Sequence, residues 1–73
     1  MANKTWTEID AWLSDENKKH WYIEIQRIPR DYLEFAWNVR GYIKEYSGKI
    51  KLNEGVGTGI QECLTDFINN NGD

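Results

Sequence analysis

The spacing of apolar residues changes character along the chain. Trp6, Ile9, Trp12 and Leu13 recur at helical intervals, so the first element predicted is a short amphipathic helix. Thr5 and Glu8 stand at its start as a capping box, a hydroxyl followed three residues later by a carboxylate. Asp15, Glu16 and Asn17 end it, because their side chains compete for backbone hydrogen bonds. The period then becomes two. Trp21, Ile23 and Ile25 alternate with Tyr22, Glu24 and Gln26, the signature of a half-buried strand. Pro29-Arg30-Asp31 supplies turn chemistry.

Residues 31–46 fit two patterns. As a strand, Leu33, Phe35, Trp37 and Val39 alternate with Tyr32, Glu34, Ala36, Asn38 and Arg40. As a helix, Asp31 and Glu34 form a capping box and Gly48 the stop. The strand is preferred. The stretch is rich in aromatic and β-branched residues, and Gly41 inside a helix costs about 1 kcal/mol against Ala. Ile43 and Ile50 are an odd number of residues apart, so Ser47-Gly48 must be a turn or bulge. Ile60, Cys63, Leu64, Phe67 and Ile68 then follow the i, i+3, i+4, i+7, i+8 rule of an amphipathic helix. Thr58 and Gln61 are the capping box expected for it, with Gly55-Val56-Gly57 as a flexible joint ahead.

The order αβββα predicts an α+β fold. It is a small two-layer domain with two helices on one face of an antiparallel sheet of three or four strands. Residues 1–73 form a single domain, with a tail fraying from about residue 69. Trp21, Ile23 and Ile25 of the first strand and Leu33, Phe35, Trp37 and Val39 of the second are expected to meet Ile9, Leu13, Ile60, Leu64 and Phe67.

Composition sharpens this. With 73 residues and one Cys, no internal disulfide staples the core. One Cys and one His do not make a structural zinc site, and no cofactor is expected. No apolar run approaches membrane-spanning length, and Met1-Ala2-Asn3-Lys4-Thr5 lacks the apolar stretch of a secretion signal. The expectation is a soluble cytoplasmic protein without a membrane partner. Ten aromatics stand out. Each buries roughly 150–250 Å², so Trp6, Trp12, Trp21, Trp37, Phe35 and Phe67 are expected to provide much of the core, the alternative being that some aromatics sit outside and bind a partner.

The four Tyr divide from that set. Tyr22, Tyr32, Tyr42 and Tyr46 are expected on the opposite sheet face, with Glu24, Glu34, Arg40, Lys44, Lys49 and Lys51 beside them. The net charge of −3 conceals a split. Residues 18–51 carry eight Lys/Arg against four Asp/Glu, and the rest carries Lys4 against eight Asp/Glu. The sheet is basic and the helical ends are acidic. Tyr recurs at interfaces, so this face is the first candidate for binding a protein partner. An acidic face around Glu62 and Asp66 is the alternative.

Catalytic motifs are weak. The Gly55–Gly59 run lacks the Lys-Ser/Thr pair of a phosphate loop. Cys63 sits in the apolar helix pattern as a small hydrophobe, and nothing aligns it with His20, which reads as a strand-start residue. A non-enzymatic role follows. The αβββα order, with Gly55-Val56-Gly57-Thr58 before the last helix, resembles double-stranded RNA-binding domains in layout. The phosphate-reaching lysines of those domains are replaced by Gly59, Ile60 and Gln61. The capped Thr5–Leu13 helix, the Trp21–Val39 hairpin and the glycine turn into Ile60–Ile68 also resemble small accessory proteins of phages and mobile elements, among them anti-CRISPR proteins. That resemblance implies a protein-binding regulator or inhibitor that blocks a host macromolecular complex. A nucleic-acid-binding module using the Tyr and basic face, and a homodimer without separate activity, are the alternatives.

Overall fold

The computed structural model describes residues 2–31, 34–45 and 47–72. Helix α1 spans Trp6–Leu13 and is followed by a single 3-10 turn, Glu16–Lys18. Strands β1 (Trp21–Pro29), β2 (Phe35–Glu45), β3 (Gly48–Lys51) and β4 (Gly55–Gly57) come next, then helix α2 (Ile60–Asn70). The fold is the small α+β domain expected, with a four-stranded antiparallel sheet.

Strand β2 is the centre of the sheet. β1 runs along one side of it over the whole of β1, from Trp21 opposite Ile43 to Pro29 opposite Phe35. The other side is shared. β3 pairs with the end of β2 and β4 with Trp37–Val39 nearer its start. The stretch that fits two patterns is therefore strand over Phe35–Glu45. Gly48 takes a φ of 141°, which a residue with a Cβ rarely adopts, and lies opposite Glu45 at the close of the β2–β3 hairpin. The turn puts Ile43 opposite Ile50, so both share a face despite their odd spacing.

The capping box of α1 forms as read. The Thr5 hydroxyl accepts from the Glu8 amide at 3.1 Å, and the Thr5 amide donates to the Glu8 carboxylate at 3.0 Å. The start of α2 differs from expectation. Gly59 is the N-cap and has no side chain to offer, while the Thr58 hydroxyl donates to Glu62 instead. The glycine segment also differs. Gly55-Val56-Gly57 is a strand packed against α2. A Cβ on Gly55 would lie 2.4 Å from the Phe67 amide nitrogen and 2.5 Å from the Cys63 carbonyl oxygen. These glycines bring helix and strand into contact.

The buried core is Ile9, Val39, Cys63, Leu64, Phe67 and Ile68, with Trp12, Leu13, Ile23, Trp37, Leu52 and Ile60 packed around it. Trp12 meets Trp21 and Phe67 edge-on at 5.5 and 6.2 Å between ring centroids. Two aromatics expected inside are exposed, Trp6 and Phe35, and so is Ile25. Phe35 lies at the start of β2, toward the hairpin tip, and Ile25 lies on the outer strand beside the fully buried Val39, so the cover of the helices falls short of both. Leu33 lies outside the described residues. The tail from residue 69, expected to fray, is tied down as far as Asn71. Asn70 and Asn71 make side-chain and backbone bonds to Asn53 and Glu54 at 2.8–3.0 Å.

Candidate functional site

The outer sheet face is built by register. Alternation sends Trp21, Ile23 and Ile25 toward the helices, which leaves Tyr22 and Glu24 facing outward. Across the β1–β2 ladder, Tyr22 stands opposite Tyr42 and Glu24 opposite Arg40. Across β2–β3, Tyr42 stands opposite Lys51 and Lys44 opposite Lys49. The two Tyr rings stack 5.0 Å apart and 6° from parallel, and the Lys49 ammonium lies 4.6 Å from the centre of the Tyr42 ring. A shallow depression of about 420 Å³ lies there, lined by Glu24, Arg40, Gly41, Tyr42, Lys49 and Lys51. A second, of about 310 Å³, is lined by Lys19, His20, Trp21, Tyr22 and Lys44.

Of the candidate residues, Tyr22, Tyr42, Arg40 and Lys44 thus share this face. Tyr32 and Tyr46 lie outside the described residues. The Arg40 guanidinium sits 3.8 Å from the Glu54 carboxylate, and both side chains remain about half exposed, so the pair contributes little to stability. Lys49 and Lys51 belong to the same face through β3 register. Both are expected on this face from the sequence; what alternation alone leaves open is which residue each one stands opposite, because cross-strand neighbours depend on where the turn falls.

Glu62 and Asp66 have internal duties. Glu62 accepts from the Thr58 hydroxyl at 3.0 Å. Asp66 accepts from the Val56 amide at 2.9 Å. That amide points away from β2, so the carboxylate satisfies a donor on the exposed side of β4. The two acids also line a depression of about 430 Å³ with Ala2, Asn3, Val56, Thr65 and Asn69.

Cys63 is fully buried, and its Sγ lies 3.2 Å from the Ile60 carbonyl oxygen. Burial pushes the thiol above its ordinary range, and the Asp66 and Glu62 charges push it further. His20 is exposed ahead of β1, outside the core that holds Cys63. Among the described residues no group of three or more His, Cys, Asp or Glu is placed to hold a metal ion. Nor is any helix among them long and apolar enough to cross a membrane. No family model matches this chain, and comparison with curated proteins and with solved structures finds none similar to it.

Proposed function

We propose that this chain is a small non-enzymatic binding protein that docks its outer sheet face on an acidic protein surface. One observation carries the reading. Tyr22, Tyr42 and Lys51 form a single cross-strand row, the Tyr rings stacked, with Arg40, Lys44 and Lys49 around them. Stacked Tyr offers rigid contact area with few rotamers to freeze, and the cations steer an acidic partner into place. The layout likeness to small mobile-element accessory proteins makes a host macromolecular complex the kind of target, and occupation of its surface the mode of inhibition.

The test is capture from source cells followed by titration of the purified partner. Tyr22→Ala combined with Tyr42→Ala should weaken binding at least 100-fold, since two central Tyr anchors contribute roughly 2 kcal/mol or more each. Far-UV circular dichroism checks that the fold persists. Unchanged affinity would remove the face from consideration.

A second reading rests on the same row. A Tyr platform with basic neighbours also suits single-stranded nucleic acid. It requires binding that falls steeply with salt, and no retention of an oligonucleotide at about 50 mM salt refutes it.

A further inference from the structure

The two sides of the sheet are finished differently. On the β3/β4 side, the strands are short and broken by Leu52–Glu54, β3 carries Lys49 and Lys51, and Asp66 occupies the outward Val56 amide. These are devices that discourage strand addition. The β1 side is one unbroken strand of 9 residues that, among the described residues, pairs only with β2.

The ladder fixes which of its groups are unused. The Arg30 amide donates to the carbonyl of Glu34, just ahead of β2, and the Leu52 amide donates to Gly41 from the far side. Bonding alternates along a strand in antiparallel pairs. Even-numbered β1 residues therefore bond to β2, and Trp21, Ile23, Ile25 and Arg27 present their amides and carbonyls outward. Pro29 falls in the same outward series, where its missing N–H costs β1 no bond to β2.

We infer that β1 pairs antiparallel with β1 of a second copy of this chain, about a two-fold axis at Ile25. Like-charge clashes and apolar mismatches across the strands narrow the register. Side chains keep to their faces only when odd residues meet odd and even meet even. Sliding the axis to Glu24 sets Glu24 against Glu24, and sliding it to Arg27 sets Arg27 against Arg27. An axis at Gln26 sets Glu24 against Ile28. With Ile25 on the axis, Ile25 meets Ile25, Glu24 meets Gln26, Tyr22 meets Ile28 and Ile23 meets Arg27. Every outward amide from Trp21 to Arg27 then finds a carbonyl, and Pro29 accepts from Trp21 of the second copy at the end of the ladder.

The exposed apolar residues agree with this register. Ile25 and Ile28 are 44% and 43% exposed, and Phe35, opposite Pro29, is 45% exposed. Pairing brings the Phe35–Pro29 row beside Trp21 of the second copy, the residue on which Trp12 of α1 packs. The bare end of each hairpin thus meets the aromatic end of the other. The outer faces join into one surface bearing two Tyr22–Tyr42 stacks. The inference does not depend on what that surface binds.

Ile25 and Ile28 are equally exposed and make a matched pair of probes. A hydrogen-bonded antiparallel pair sets its Cα atoms about 5.5 Å apart, within disulfide reach. Two copies of residue 28 would be separated by six residues of strand in that register, about 20 Å. In the full chain with buried Cys63 kept, Ile25→Cys should become a disulfide-linked dimer under a glutathione redox buffer. Ile28→Cys under the same conditions should remain at least 10-fold less cross-linked. Light scattering of the unmodified chain should show a concentration-dependent dimer. Ile25→Lys should be monomeric at the same concentrations, with the circular dichroism of the parent. A parent that stays monomeric up to about 1 mM, equal cross-linking at residues 25 and 28, or a folded Ile25→Lys that still dimerises would each overturn the proposal. Should Ile25→Lys fail to fold, the cross-linking pair decides alone.

Discussion

Replacing Gly55 by Ala adds one methyl group where the backbone of α2 already lies. The new Cβ would stand 2.4, 2.5 and 2.6 Å from the Phe67 nitrogen, the Cys63 oxygen and the Phe67 Cα. All three are backbone atoms, so no side-chain rotation relieves the clash. Restoring ordinary contact requires α2 and β4 to part by about 1 Å, and a gap of that size forfeits a quarter to a half of the dispersion energy across it. The seam affected is the one that buries Cys63, Phe67 and Ile68. Overpacking of this kind costs about 3 kcal/mol. A domain of this size has only about 3–5 kcal/mol in reserve. At 1.4 kcal/mol per factor of ten, the folded-to-unfolded ratio should fall more than 100-fold. Urea unfolding followed by Trp fluorescence measures this directly. Gly41→Ala is the graded control, because its closest contact is the terminal Leu52 Cδ1 at 2.9 Å, which can swing aside. A Gly55→Ala midpoint that matches the parent, or a larger loss at Gly41 than at Gly55, would refute the reasoning.

Two further outcomes follow from the hydrogen bonds and the buried thiol. Asp66→Ala should lower stability by about 1 kcal/mol by releasing the Val56 amide, while Asp66→Asn keeps an acceptor and loses less; urea midpoints of the two variants check the order. Because folding raises the Cys63 pKa, stability is fully present below the ordinary thiol value of about 8.5 and is lost as pH rises toward the folded one; a chain with Cys63→Ala should show a flatter alkaline limb in thermal unfolding.

Helix α2 and the β1–β2 hairpin were legible because their apolar spacing is local and regular. Ile60, Cys63, Leu64, Phe67 and Ile68 announce one helical face, and Trp21 through Val39 announce alternating strands. What escaped has a common cause in distances that a local pattern does not encode. Phe35 and Ile25 carry the inward parity, yet whether an inward residue is covered depends on how far the helices extend beneath it. Gly55-Val56-Gly57 offers no side-chain period, so a strand made for close approach reads as a joint. Asn70 and Asn71 look like a solvated end until Asn53 and Glu54, far back in the chain, arrive opposite them. The outer face was half legible. Parity alone put Tyr22 and Tyr42 on one side, while their contact needed the β1–β2 register.

The bond from Asp66 to the Val56 amide bears on more than the stability of one strand end. A sheet with two open sides could add molecules without limit, each recruit presenting a fresh side for the next. Here one side is short, charged and plugged by a helix carboxylate, and only the other is long and bare. Growth therefore has a single direction. Any strand that joins at β1 uses up the site of addition, and the product closes on itself. The short strands, the lysines of β3 and that carboxylate together leave β1 as the side on which a further strand fits.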